Sequence, residues 1–198
     1  MHGLMMRAIQ SFARDTYGPA LWSAVTRRAG LDIAGFEAML TYPDDMGDTV
    51  LTALSAELDR PRNTVLEDIG TYLVSDPNVE RLRRLLRFAG VSYEDFLHSL
   101  VDLPGRARLA VSDLILPRID LRAMPAGRYM LIIDGEPPGF GHVLVGILRA
   151  MADDYGALVM LDHRGLRHGR EEIEITLVET AFAEGRHFDL AADHHELG

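Results

Sequence analysis

The stretch Tyr93-Glu-Asp-Phe-Leu-His-Ser-Leu-Val-Asp-Leu-Pro-Gly-Arg-Ala-Arg-Leu-Ala-Val-Ser-Asp-Leu-Ile-Leu-Pro117 reads as an amphipathic helix, a break at Pro104-Gly105, and a run toward a strand. Ser92 ahead of it is an N-cap residue type, and Glu94 and Asp95 fall in the first turn, where acids complement the helix dipole. At about 100° per residue, Phe96, Leu97, Leu100, Val101 and Leu103 share one broad arc. Pro104 lies near its middle, turned toward the interior. His98 and Asp102, four residues apart, fall together on the opposite side as a surface pair.

Moving toward the N-terminus, residues 79–89 place Leu82, Leu85, Leu86 and Phe88 at helical spacing. Arg81, Arg83, Arg84 and Arg87 form the other face, solvated or open to an acidic partner. Thr64-x-x-Glu67 has the form of a capping box opening a helix with Val65, Leu66, Ile69, Tyr72 and Leu73 on one side. Residues 48–58 repeat the spacing with Val50, Leu51, Leu54 and Leu58, after a Tyr42-Pro43-Asp44-Asp45 turn. A further helix is expected after Asp32. Residues 1–16 put Leu4, Met5, Ala8, Ile9 and Phe12 on a helix that begins without a disordered leader. Tyr17-Gly18-Pro19 breaks it, and Pro19 suits the first turn of the next, which carries Leu21, Trp22 and Val25.

Beyond Pro117 the period changes to two. Residues 118–121 and 128–133 read as strands around the turn Met124-Pro-Ala-Gly127. Residues 142–155 read as a helix with Val143, Leu144, Ile147, Leu148 and Met151 inward and His142, Arg149 and Asp153 on the polar side. Residues 157–161 and 173–178 read as a hairpin whose polar loop, 162–170, exposes His163 and His168. Helices first, then strands around one helix, make an α+β fold. It is expected as one domain over 1–180, with a helical N-terminal lobe (1–63), an α/β lobe (64–180) and a polar tail (181–198). His187, Asp193, His194, His195 and Glu196 in the tail read as a mobile acidic end rather than a metal site.

Composition narrows the function. The 198 residues suffice for one substantial core; 47% are hydrophobic and 25% charged, as in ordinary globular proteins. A net charge of −10 repels phosphates and argues against nucleic acid or an anionic membrane surface. No apolar run is long enough to insert in a membrane, and no signal peptide is visible. The absence of cysteine fits the cytoplasm and excludes disulfides, thiolate metal sites and a cysteine nucleophile. Nothing supports catalysis. There is no phosphate-binding P-loop, no Gly-x-Ser-x-Gly and no His-Glu-x-x-His, and Gly135-x-x-x-Gly139-x-Gly141 is a poor phosphate motif with Glu136 inside it.

Phe96-Leu97-x-x-Leu100-x-x-Leu103 resembles the proximal helix of the haem-nitric oxide/oxygen binding (H-NOX) family. In that family the next residue is the histidine that ligates haem iron; here it is Pro104. Pro117, thirteen residues on, matches the family's proline that presses on the haem. Met1-His-Gly-Leu4, Arg14-Asp-Thr-Tyr-Gly18, Trp22, Tyr42-Pro43-Asp44 and Gly70-x-Tyr72 are similar as well, so the resemblance covers residues 1 to about 180. It implies a helical lobe followed by a lobe with a four-stranded antiparallel sheet. It also implies a non-catalytic, cytoplasmic signalling module, a bacterial sensor of nitric oxide that uses haem b and contacts a histidine kinase or diguanylate cyclase.

The family's haem determinants are nevertheless missing. Its tyrosine-x-serine-x-arginine clamp for the propionates falls, counting back from Gly146, on Ile133, Gly135 and Pro137. A propionate buried without donors is costly. Met5, Ile9 and Val143 match positions that face the bound gas, and none donates a hydrogen bond. With Leu97, Leu100, Pro104 and Pro117 they are expected to line an apolar pocket. His98, about 240° around the helix from Pro104, and His142 are the candidate substitute haem ligands, whereas His2 reads as structural. Two readings stay open. One is a haem-free regulatory module that binds a partner or an apolar ligand; the other is a haem-based nitric oxide sensor ligated through His98 or His142.

Overall fold

The computed structural model describes residues 1–33, 35–76, 86, 90–180 and 182. It opens with helices α1 (Gly3–Tyr17), α2 (Pro19–Arg28), α3 (Asp44–Leu58) and α4 (Arg62–Ser75). Then come α5 (Tyr93–Ser99), a 3-10 turn (Leu100–Asp102), α6 (Leu103–Ala110), β1 (Arg118–Met124), β2 (Arg128–Asp134), α7 (Phe140–Tyr155), β3 (Leu158–Arg167) and β4 (Arg170–Glu179). The four strands pair antiparallel in the order β1-β2-β4-β3, the α+β architecture expected from the change of period.

Two cores form. The first gathers Met6, Phe12, Trp22, Val50, Leu54, Val65 and Ile69 from α1 to α4. The second gathers Phe96, Leu97 and Leu100 with Leu131, Ile133, Leu144, Leu148, Ile173 and Ile175, between α5, α7 and the inner face of the sheet. Each inward strand residue follows its neighbour by two, as the pleat requires. The Tyr93 hydroxyl donates to the Leu148 carbonyl at 3.1 Å, and burial pushes its pKa far up.

The cores meet where α4 crosses α7, and glycine makes the crossing possible. A Cβ on Gly70 would sit 2.0 Å from the Val143 carbonyl oxygen, and one on Gly146 would sit 2.0 Å from the Glu67 carbonyl oxygen. The helices touch backbone to backbone, closer than any side chain allows. The Thr71 hydroxyl adds a bond to the Gly146 carbonyl at 3.4 Å.

Several local expectations are corrected. The predicted break at Pro104-Gly105 lies earlier, in the 3-10 turn at Leu100–Asp102. Pro104 instead sits in the first turn of α6, where a missing N–H costs nothing because that group has no helical acceptor. The capping box predicted at Thr64 is absent, since α4 already starts at Arg62 behind Pro61. The N-cap expected at Ser92 is present, with Asp95 closing a capping box. No helix follows Asp32 among the described residues. There the chain is held by tertiary bonds: Gln10 Oε1 accepts from the Phe36 N–H at 2.7 Å, and the Tyr42 hydroxyl from the Glu37 N–H at 2.7 Å. The long polar loop 162–170 is in fact strand on both sides of a two-residue turn, His168-Gly169. Both residues have positive φ, 52° and 79°, as a type I′ hairpin turn needs. The helix expected at 79–89, with Arg81, Arg83, Arg84 and Arg87, lies outside the described residues except for Leu86, as does the histidine-rich part of the tail.

Candidate functional site

An apolar cavity of about 110 Å³ lies at the seam between the lobes. Met5, Ala8 and Ile9 of α1 form one wall, Leu51 of α3 and Leu66, Ile69 and Leu73 of α4 another. Pro137, Pro138, Gly139, Phe140 and Val143 at the start of α7 close it, and the Met1 side chain lies at its border. Among the described residues its only charged border groups, Asp48 and Arg62, form an ion pair with each other. A space of this size suits a few non-hydrogen atoms and falls below the roughly 300–1,000 Å³ of ordinary cofactor clefts.

Met5, Ile9 and Val143 therefore come together on the cavity wall. Leu97 and Leu100 do not border it; they are fully buried in the second core. Pro117 is buried beside Gly135 at the start of β1, and Pro104 is half-buried on α6. His98 is exposed, its ring edge-on to Tyr129 at 6.2 Å between centroids. The Tyr129 hydroxyl bonds Glu94, and that bond and partial burial push its pKa up to about 12. His2 is buried as the N-cap of α1, with Nδ1 accepting the Leu4 N–H at 3.1 Å and Nε2 lying 3.3 Å from an Asp113 carboxylate oxygen.

His142 is not the helix-start surface residue that periodicity suggested. Its side chain is 14% exposed and stacks on His163, with centroids 3.9 Å apart and planes 16° from parallel. Its Nδ1 faces Glu67 Oε1 at 3.4 Å, and the other oxygen of Glu67 takes a bond from Arg149 at 3.0 Å. His163 Nε2 lies 3.0 Å from Glu171 Oε2. Glu171 also accepts the Gly139 N–H at 2.9 Å and the Gly141 N–H at 3.2 Å, so a β4 carboxylate holds the start of α7. Gly141 is what lets these groups converge, because a Cβ there would be 2.6 Å from both Glu171 Oε2 and His163 Nε2.

Burial, reinforced by the neighbouring His163, holds the His142 pKa below its ordinary value. Burial pushes Glu171 up, but the bonds from His163, Gly141 and Gly139 outweigh it, and its carboxyl sits below the usual range. Sequence reading missed His163, Glu171 and Glu67 as a group. The signal was present: Val159, Leu161 and His163 alternate, as do Glu171, Ile173, Ile175 and Leu177, so both polar residues continue the inward face of a strand.

A haem needs an axial donor on the pocket wall and cationic or hydroxyl partners for two propionates. The cavity border offers only the thioethers of Met1 and Met5, and its one cation, Arg62, is engaged by Asp48. Ile133 is a buried core residue, and Pro137 presents no donor. Among the described residues that border this cavity there is no imidazole. Among the described residues no group of three or more His, Cys, Asp or Glu could hold a metal ion, and no helix is long and apolar enough to cross a membrane.

Solved structures share the fold. An Fe(II) unliganded H-NOX protein from K. algicida superposes with a TM-score of 0.77 at 16% identity, covering 91% of this chain and 98% of that one. A mutant H-NOX protein from S. oneidensis in the Fe(II) ligation state gives 0.76 at 14% identity over 91% and 97%. In sequence, the chain is 20% identical over 158 residues to soluble guanylate cyclase 89Da of Drosophila melanogaster, which takes in 80% of this chain but only 24% of that relative. The pattern of residues 2–163 matches HNOB, Haem-NO-binding, over most of the chain, and the chain belongs to that family.

Proposed function

We propose that this chain is a sensory or regulatory signalling module of the HNOB family that works without family-type haem ligation and uses its seam cavity for a small apolar ligand. The reading rests on the cavity border, where among the described residues the only charged groups, Asp48 and Arg62, neutralise each other and no imidazole is present. Such a wall favours uncharged ligands of a few heavy atoms, because any buried charge on the ligand would go unpaired. Pro104, at the position from which the resembling proteins hold iron, has no nitrogen lone pair to offer. Output passes by contact to a signalling protein such as a histidine kinase or diguanylate cyclase. No catalysis belongs to residues 1–180, which we take as one functional unit in the cytoplasm. The chain spans about a quarter of the guanylate cyclase relative, so that protein's activity is not carried over.

Titration of the purified, reduced chain with hemin tests this. Wild type is expected to give no saturable Soret band, and Pro104→His to gain one. A saturable band in wild type overturns the reading, and its loss in His98→Ala or His142→Ala would identify the ligand.

A further inference from the structure

The polar side chains behind the cavity are more connected than a structural role requires. Glu67 comes from α4, His142 and Arg149 from α7, His163 from β3 and Glu171 from β4. Three of them adjoin the cavity wall. Glu67 follows Leu66, and His142 stands between Phe140 and Val143. Glu171 is bonded to the backbone of Gly139. Among the described residues, Glu67 and Glu171 meet the ring pair directly, whereas the exposed Arg149 reaches it only through Glu67, and the charges of the cluster do not balance while both rings are neutral. Two carboxylates and one guanidinium leave one negative charge. One proton on the ring pair cancels it. A second would place two imidazolium rings face to face at 3.9 Å in a half-buried site, beside the positive N-terminal end of α7.

We propose that Glu67, His142, His163 and Glu171 form a one-proton latch joining the two walls of the cavity, which opens when a second proton enters. The first proton is accommodated between the two carboxylates, and the stack persists. The second, on His142, breaks the stack, freeing the start of α7 from β3 and moving Phe140 and Val143 at the cavity. The depressed His142 pKa agrees with a late second step. The consequence for a ligand rests on the reading of the cavity given above, whereas the latch does not.

NMR of the full chain with labelled histidine rings and methionine methyls tests both, from pH 8 downward, with and without dissolved xenon. In wild type the Met1 and Met5 methyl signals are expected to follow the His142 step. In His163→Gln, where the amide still donates to Glu171 without carrying charge, the His142 step and the methyl step should move together to higher pH. In Glu67→Gln, a change at a part-exposed site, both should move together to lower pH. A His142 midpoint unchanged in both variants overturns the latch, as do methyl signals indifferent to that step. Xenon should shift the methyls at pH 8, and severalfold more weakly below the second step. Methyls indifferent to xenon at every pH would sink the apolar-ligand reading, while the gas-free titrations still decide the latch.

Discussion

The two sides of the seam between α4 and α7 are built from adjacent residues yet obey different rules. On one side Leu66, Ile69, Phe140 and Val143 face an apolar cavity that is incompletely filled. On the other, Glu67, His142 and Arg149 are matched partner to partner with His163 and Glu171. Apolar contact is non-directional and scales with area, so the first side can accept changes of volume. Buried polar groups need specific partners at fixed distances, so the second side cannot lose one without leaving another unsatisfied. Between them the Gly70 and Gly146 crossing acts as a rigid pivot. A ligand on the soft side and a proton on the strict side would therefore act on the same helix pair.

The comparison breaks most completely at the pivot. Gly146→Ala places a methyl 2.0 Å from the Glu67 carbonyl oxygen and 2.7 Å from the Thr71 nitrogen. Backbone cannot yield as a side chain tip does, so α4 and α7 must separate. A loss of about 3 kcal/mol or more in urea unfolding is expected, at the upper end of overpacking effects. A loss below about 1 kcal/mol would mean the crossing is not a tight pivot.

The strict side is sharpened by Glu171→Gln. An amide cannot accept from Gly139, Gly141 and His163 as the carboxylate does, and a cost of about 1–3 kcal/mol at pH 7 is expected. The sign of its pH dependence follows from linkage. The folded carboxyl sits below its ordinary value of 4.5, so its stabilisation is present above that value and is lost as pH falls through the lower folded one. Wild type should lose stability over that acid window more steeply than Glu171→Gln. Parallel curves would show that this carboxylate is not held as described.

The smallest effect belongs to the soft side. Ala8→Leu projects extra methyl groups at the cavity and should change stability by less than about 1.5 kcal/mol, in contrast to a filled core. The same variant should abolish the xenon response of the Met5 methyl. A large destabilisation would mean the wall is already closely packed.

Much of this fold was legible because it is local. The Ser92 cap, the period of two after Pro117 and most of the inward arc follow from propensity and spacing and are present: Phe96, Leu97, Leu100 and Leu103 are buried, whereas Val101, expected inward, is exposed where the helix tightens into the 3-10 turn. Met5, Ile9 and Val143, singled out through resemblance, border the same cavity from α1 and α7. The histidines were misread because a polar residue in a polar segment defaults to loop or surface. His163 and Glu171 are ordinary by composition. Their alternation with Leu161 and Ile173 places them on the inward face, but the extent of the strands through them is set by the hairpin register at the His168-Gly169 turn.

Sequence by itself determined the α+β order and the family pattern, since each depends on which side chain occupies which place along the chain. Tertiary structure alone decided that Glu67, His142, His163 and Glu171, from four separate elements, share one half-buried site behind a cavity. Their convergence depends on a helix crossing that admits no side chain at Gly70 or Gly146, and such close approach between distant segments has no signature in local periodicity.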